Sequence, residues 1–138
     1  MNKLPVVLIL ALLFMAGCKN DSDSISIDNY EKGKTTVAEI EEKSPERFLA
    51  VSGNNKKNLV GQTVIKGVII NNAKVKSFKD VRIKLSFYSK TGALLEEDQE
   101  VIYETIEPGA SKSFKSKYFA AKGTDSVAMK ILTAVPLK

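Results

Sequence analysis

The segment DVRIKLSFY, residues 80–88, alternates between apolar and polar side chains and constrains the fold more than any other part of the chain. Its two faces are Val81, Ile83, Leu85 and Phe87 on one side, and Arg82, Lys84, Ser86 and Tyr88 on the other. A period of two over this length predicts a β-strand with one buried face and one solvent-facing face. Such a strand needs a second layer against which its apolar face can pack.

Other strands and the turns between them are predicted on either side of this segment. Strands are expected over residues 48–51, 63–71, 111–118 and 126–135, with one bent strand or two short ones within 93–107. The predicted turns are Ser52-Gly53-Asn54-Asn55, Ser89-Lys90-Thr91-Gly92 and Glu107-Pro108-Gly109. Gly67 lies inside a strand and predicts a bulge or a point of close packing. About seven short strands with no helices between them favour an all-β fold, an immunoglobulin-like antiparallel β-sandwich.

A short helix is predicted ahead of the strands, over residues 35–43. Val37 and Ile40 lie three residues apart, Thr36 can cap the first turn, and Ser44-Pro45 ends the helix. In this arrangement the glutamates at 39, 41 and 42 face solvent. The predicted core is Phe48, Val64, Val68, Ile70, Val81, Ile83, Leu85, Phe87, Phe114, Val127, Met129 and Ile131.

The beginning of the chain has the order of a secretory signal. Lys3 precedes an apolar run from Leu4 to Phe14, and the small pair Ala16-Gly17 follows. As a helix this run spans about 16 Å, against about 30 Å of bilayer hydrocarbon, so we expect it to be cleaved rather than to remain as a membrane span. Residues 1–17 are therefore interpreted as a signal peptide.

Met15-Ala16-Gly17-Cys18 resembles the lipobox of bacterial lipoproteins. The resemblance implies that Cys18 receives a diacylglycerol and becomes the N-terminus after cleavage, so that the protein is held to a membrane by its lipid. Residues 19–23, KNDSD, resemble the signals that route lipoproteins to the outer face of the outer membrane in some Gram-negative bacteria. The alternative for these residues is an ordinary polar tether, with the domain facing the periplasm.

The polar composition of residues 18–34 cannot bury a core and predicts a flexible tether, which leaves residues 35–138 as the folded domain. Within that domain, residues 64–114 resemble the FxLYD family of small secreted or lipidated bacterial β-sandwich domains. The shared features are Gly67, Asn71, Phe78-Lys79-Asp80-Val81, Phe87-Tyr88, Gly92, Pro108-Gly109 and Ser113-Phe114. At the motif that names the family the chain reads Leu85-Ser86-Phe87-Tyr88-Ser89. The resemblance implies a binding or accessory module and brings no known catalytic residues.

Several kinds of chemistry are excluded by composition. The chain has no His and a single Cys, so it can form neither an intramolecular disulfide nor a His-ligated metal site, and it has no histidine for acid–base catalysis. Three further groups have residue types that occur in catalytic or calcium sites: Ser111-Lys112-Ser113, Glu96-Glu97-Asp98, and the aspartates Asp21, Asp23 and Asp28. The Ser–Lys group lacks the burial that would lower a lysine pKa and activate a nucleophile. The three consecutive acidic residues point to alternate faces of a strand, which does not suit the carboxylate pair of a glycosidase, and the aspartates lack the pattern of a calcium-binding loop. The sequence therefore predicts no catalytic residue, no metal and no cofactor.

Charged and tyrosine side chains on the strands are the candidate binding surface. Arg82 and Lys84 share one strand face, and Lys115 and Lys117 share another. If the two strands adjoin, these four form a basic stripe that suits anionic glycan, lipid headgroups or nucleic acid. The alternative is an ordinary solvated strand face.

Tyr88, Tyr103 and Tyr118 are candidates for a contact surface, because tyrosine is enriched at interfaces. Cross-strand packing is the alternative role for them. The net charge of +5 is modest because acidic residues are interleaved with the lysines.

Together these features predict a lipid-anchored, exported and non-catalytic binding or accessory module of the bacterial cell envelope, located at the outer membrane. Its expected partner is an envelope protein or a glycan rather than nucleic acid, which would be an unusual partner for an exported lipoprotein. An enzyme acting on envelope polymers is the alternative.

Overall fold

The computed structural model describes residues 35–138. The signal peptide, the lipid-modified Cys18 and the tether predicted from the sequence all lie outside the described residues. Within residues 35–138, no helix is long and apolar enough to cross a bilayer.

The domain begins with a short helix, α1 (Val37–Lys43), followed by a 3₁₀ turn at Pro45–Arg47. Thr36 caps α1 reciprocally with Glu39: its hydroxyl accepts from the Glu39 N–H at 3.2 Å, and the Glu39 carboxylate accepts from the Thr36 N–H at 2.9 Å. The predicted position of the helix is confirmed. The predicted face is wrong, because Val37 and Ile40 are exposed while Glu41 is fully buried.

Glu41 and Asn71 together hold the loop of residues 72–77. The Glu41 carboxylate accepts from the backbone N–H groups of Lys74, Val75 and Lys76 at 2.6, 3.0 and 2.8 Å. Asn71 donates from its amide to the carbonyls of Lys76 and Ile106 and accepts from the N–H of Ala73. These contacts satisfy both buried side chains and fix the loop that leads from one sheet to the other.

Six strands follow α1, and all of their pairings are antiparallel. The strands are β1 (Leu49–Lys57), β2 (Thr63–Asn71), β3 (Phe78–Ser89), β4 (Leu94–Ile102), β5 (Ser111–Tyr118) and β6 (Thr124–Pro136). The first sheet has the order β1-β2-β5, and the second has the order β4-β3-β6. The all-β sandwich is thus confirmed, with six strands rather than the expected seven.

The turn predicted at residues 52–55 is wrong, because β1 continues through these residues to Lys57. The strand pairs with β2 along its whole length, and Gly53 lies opposite Gly67. The turn instead spans residues 58–62, where the Asn58 side chain accepts from the N–H groups of Val60 and Gln62 at 3.1 and 2.9 Å. Asn58 thus provides the side-chain hydrogen bonds that hold this turn.

The core lies between the two sheets. Its fully buried apolar side chains are Ile65, Ile69, Phe78, Val81, Ile83, Leu85 and Ile106, with Phe87 almost completely covered. Five predicted core residues belong to this core: Val81, Ile83, Leu85, Phe87 and Ile131. Val64 is also buried, but the register places it on the outer face of β2 with Val68 and Ile70. Phe48, Phe114, Val127 and Met129 are partly buried and pack against this core. Ile70 is exposed and Val68 only half-buried, because the inner face of β2 is formed by Ile65, Gly67 and Ile69.

Gly67 is a point of close packing, as the sequence predicted. A Cβ at this position would lie 2.4 Å from two carbons of the Phe114 ring. Phe114 is the cross-strand partner of Gly67 in β5. The missing side chain therefore lets the ring lie against the backbone of β2.

Candidate binding surface

The four basic residues of the predicted stripe lie on two different sheets. Arg82 and Lys84 are on β3, which pairs with β4 and β6, whereas Lys115 and Lys117 are on β5, which pairs with β2. The condition for a continuous stripe was that the two strands adjoin. Because they do not, these residues form no single stripe.

On the second sheet the cationic side chains are partly neutralised. The Lys84 ammonium lies 2.7 Å from the Glu97 carboxylate, which also accepts from the Ser86 hydroxyl at 3.2 Å. The hydrogen bond to Glu97 raises the pKa of Lys84, and the same bond, joined by that of Ser86, lowers the pKa of Glu97. This ion pair neutralises Lys84, whereas Arg82 and Lys130 on the same face form no ion pair within residues 35–138.

The tyrosines also separate into different environments. Tyr88 is half-buried between its cross-strand partners Leu94 and Ser126, which matches the packing role. Tyr118 has its ring edge-on to Phe87 at 5.7 Å between centroids, and its hydroxyl donates to Glu100. Tyr103 follows β4 and is exposed. These three side chains therefore share no common surface.

The first sheet presents a different kind of surface, which we call the lysine face: Lys56, Lys66, Lys115 and Lys117. Lys66 and Lys115 are directly opposite each other, and Lys56 and Lys117 flank Val64. The other residues in this register are Ala50, Ser52, Asn54, Val64, Val68, Ile70, Ser111 and Ser113, none of which is acidic. Among residues 35–138, the ion pairs that form involve other lysines. Like charges placed opposite one another weaken a sheet, so stability does not account for this arrangement.

A depression of about 470 Å³ lies on the first sheet, beside these lysines. The side chains that line it are Ser52, Asn54, Lys66, Val68, Ser113, Phe114 and Lys115, together with the backbone of Gly53 and Gly67. Val68 has the small residues Ser52 and Ser113 as its two cross-strand partners, which leaves open space above it. The volume falls within the range of small-ligand sites.

The lining combines three kinds of group. Two ammonium groups can bind an anion, the hydroxyls and the Asn54 amide can exchange hydrogen bonds with hydroxyl groups, and Val68 offers an apolar patch. The arrangement is therefore suited to binding.

Sequence reasoning identified Lys115 and Lys117 but missed Lys56 and Lys66. Lys66 alternates with Val64 and Val68, so a signal was present. It was not recognised because those valines were assigned to the core, which would turn Lys66 away from solvent. Lys56 was missed because β1 was expected to end before it.

Comparisons with known proteins add little to this geometry. No protein-family model matches the sequence, and no curated protein matches it. One solved structure that it resembles is described as the X-ray structure of Northeast Structural Genomics Consortium target SoR45, with 12% sequence identity and a TM-score of 0.39. The match covers 67% of this chain and 87% of that chain.

Proposed function

We propose that this protein is a lipid-anchored, exported, non-catalytic binding module of the bacterial cell envelope, and that its lysine face binds an acidic glycan. The observation that carries the proposal is a set of four exposed lysines, which form no ion pair within residues 35–138, beside a depression of about 470 Å³. The lipobox-like segment ending in Cys18 supports export and lipid anchoring, and residues 19–23 support a location at the outer membrane. The resemblance to FxLYD domains supports an accessory role.

An acidic glycan fits the surface because its chemistry matches each kind of group there. Carboxylate or phosphate groups pair with the ammonium groups of Lys66 and Lys115, and sugar hydroxyls pair with Ser52, Asn54 and Ser113. The spacing suits a repeating anion, since cross-strand neighbours lie about 5 Å apart and alternate residues of a strand about 7 Å apart. Because the lysines are exposed, binding should weaken as salt concentration rises.

The proposal is tested by measuring affinity for polygalacturonate, an acidic polysaccharide, with neutral dextran as the reference. Lys66→Gln combined with Lys115→Gln should weaken binding to polygalacturonate at least about tenfold, by the loss of two charge-assisted contacts. Arg82→Gln combined with Lys130→Gln removes the same charge from the second sheet and should leave the affinity nearly unchanged. Equal losses in both double variants, or equal binding to dextran, would show that the lysine face is not a specific site.

A second experiment identifies the natural partner. The native protein and a Cys18→Ala version are recovered from crosslinked cells, and the bound material is identified by mass spectrometry. Acidic glycan recovered with the anchored protein would support the proposal. A discrete envelope protein recovered only with the anchored form would replace the glycan by a protein partner.

A further inference from the structure

Three loops meet at one end of the sandwich, the end opposite α1 and the loop of residues 72–77. They are the β1–β2 loop (58–62), the β3–β4 loop (90–93) and the β5–β6 loop (119–123). The pairing register shows that they lie together, because Thr63 pairs with both Lys57 and Tyr118, and Ser89 pairs with Thr124. We call this end the loop tip.

Large apolar side chains project from the loop tip. Leu59 is fully exposed, and the exposed fractions are 70% for Val60 and 79% for Phe119. Single exposed apolar residues are normal on a protein surface. Leu59, Val60 and Phe119 instead form a group on two neighbouring loops, and contiguous exposed apolar groups are found at sites of interaction.

Hydrogen bonds hold the backbone of the two loops that carry these side chains. Asn58 accepts from the N–H groups of Val60 and Gln62, and its own amide donates to the Gln62 side chain at 2.9 Å. In the β5–β6 loop the Ala121 N–H donates to the Glu96 carboxylate at 2.9 Å, and the Thr124 hydroxyl donates to the Ala121 carbonyl at 2.7 Å. Because the loops are already ordered, binding through them would cost little conformational entropy.

The charges around these apolar side chains are cationic. Lys90 and Lys122 lie within the loops and Lys57 lies directly beside one, while the three loops contain no acidic residue. The nearest carboxylates in sequence belong to Glu96, which binds the Ala121 N–H, and Asp125 at the start of β6. Apolar side chains surrounded by lysines match the apolar boundary and the phosphates of an anionic bilayer.

The geometry points to the loop tip as a docking site for the surface of an anionic lipid bilayer. Leu59, Val60 and Phe119 enter the headgroup and acyl boundary, and the lysines contact lipid phosphates. A protein partner is less well matched, because protein interfaces usually bury a packed aromatic and aliphatic centre, whereas these three side chains protrude from two loops. This site is separate from the lysine face and does not depend on the function proposed for that face.

The bilayer that carries the proposed lipid at Cys18 is within reach of the loop tip. A nine-residue strand such as β1 is about 30 Å long, and the sixteen residues from 19 to 34 can extend to about 55 Å. The chain is thus long enough for both the lipid and the loop tip to contact one membrane. Such contact would lay the domain against the surface of that membrane.

The test uses the chain from residue 18 onward with Cys18→Ala, so that neither the apolar leader nor a lipid contributes to binding. Its affinity is measured for vesicles of phosphatidylcholine with and without phosphatidylglycerol. Leu59→Asn combined with Phe119→Ser should weaken binding to the anionic vesicles at least about tenfold. Removing phosphatidylglycerol should weaken it about fivefold for each lysine in contact.

The matched control is Val75→Ser combined with Tyr103→Ser, which removes two exposed side chains from the opposite end and should bind like the parent. Because the chain contains no tryptophan, Phe119→Trp supplies a unique fluorescent reporter. Its emission should shift to the blue on vesicle binding and be quenched by brominated lipid. An unshifted emission, a parent that fails to bind, or an equal loss for Lys66→Gln with Lys115→Gln would overturn the proposal.

Discussion

Glu41 stabilises the domain through a buried carboxylate rather than through an apolar contact. Burial by itself would raise the pKa of Glu41, but the hydrogen bonds from the N–H groups of Lys74, Lys76 and Val75 outweigh it and lower that pKa below its usual value. The charged form is therefore the one that the folded protein favours. This single side chain links α1 to the connection between the two sheets.

Replacing Glu41 by Gln should lower the free energy of unfolding by about 1–3 kcal/mol, because the neutral amide leaves backbone donors without their charged acceptor. Urea denaturation measures the change. Glu46→Gln is the matched control, since Glu46 is exposed in the 3₁₀ turn and should cost less than about 0.5 kcal/mol. Equal midpoints for both variants would contradict the role assigned to Glu41.

The same carboxylate should make stability depend on pH. A pKa that is lower in the folded state than in the unfolded chain adds stability above the unfolded value, about 4.3, and this stability is lost as pH falls through the folded value. The difference in unfolding free energy between the parent and Glu41→Gln should thus be largest near neutral pH and shrink as pH falls below about 4. A difference that is constant with pH would rule out the charge as its source.

The burial of Glu41 could not be read from the sequence. In a seven-residue helix, the spacing of Val37 and Ile40 is the only periodic signal, and it indicates the wrong face. The face is set instead by three backbone N–H groups that lie more than thirty residues further along the chain. Periodicity records the hydrophobic preference of side chains and contains no information about such backbone donors.

Gly67 allows close packing between β2 and the Phe114 ring of β5, so it should not tolerate a side chain. Gly67→Ala places a methyl group against the Phe114 ring, and we expect a loss of about 1–3 kcal/mol in unfolding free energy. Phe114→Leu in the same chain should recover part of that loss, because the smaller side chain leaves room. A double-mutant cycle measures the coupling, and strict additivity would contradict a direct contact.

At the scale of elements, β4 and β5 are joined across the two sheets by Glu100. Its carboxylate accepts from the hydroxyls of Ser116 and Tyr118, which lie on the inner face of β5. On the opposite side of the sandwich Asn55 joins β1 to β6, accepting from the Val127 N–H and donating to the Asp125 carbonyl. Polar side chains therefore connect the two sheets at both sides.

The contact with Glu100 should be visible in a tyrosine titration. Burial raises the pKa of Tyr118, and the hydrogen bond and charge of Glu100 raise it further, with a contribution from Asp98. Tyr118 should therefore stay protonated to higher pH than a tyrosine in the unfolded chain, where ionisation occurs near 10. Because the folded pKa is the higher one, the associated stability is present below about 10 and is lost as pH rises toward the folded value.

The measurement is the near-ultraviolet absorbance of tyrosinate, compared between the parent and Tyr118→Phe. The step that is absent in the variant should lie above pH 10, and Glu100→Gln should move it to lower pH. Tyr103→Phe is the control, since Tyr103 has none of these contacts. A Tyr118 step at or below pH 10 would contradict the internal position of its hydroxyl.

The sequence predicts where the helix and strands lie better than it predicts which of their faces is buried. β3 was assigned correctly because the apolar residues between 81 and 87 occupy only one face, and all four of them are buried. β2 has Val or Ile on both faces, so alternation did not decide between the set with Val68 and Ile70 and the set with Ile65 and Ile69. The contact between Phe114 and Gly67 helps to decide which set faces the core, and it joins residues that are distant in sequence.

At the scale of the whole molecule, two of the four residues of the lysine face were predicted from the sequence. The other two were missed because the alternation of apolar and polar residues along a strand does not reveal which strands are neighbours. Lys115 and Lys117 were identified as a basic pair, but they were grouped with Arg82 and Lys84. The true neighbours of β5 became clear only from its pairing with β2, which brings Lys66 opposite Lys115. β6 follows β5 after only the five residues 119–123, yet the two strands belong to different sheets. Nearness in sequence therefore does not indicate which strands pair.

The boundary of the domain can be tested by truncation. Every described strand and the capped helix lie after residue 34, and chain contacts divide at Gly33 and Lys34. A chain beginning at residue 35 should therefore unfold with the same urea midpoint as one beginning at residue 18. A chain beginning at residue 44 lacks Glu41, and it should lose at least as much stability as Glu41→Gln, about 1–3 kcal/mol. If the chain from residue 35 is already destabilised, residues 18–34 contribute to the fold and are more than a tether.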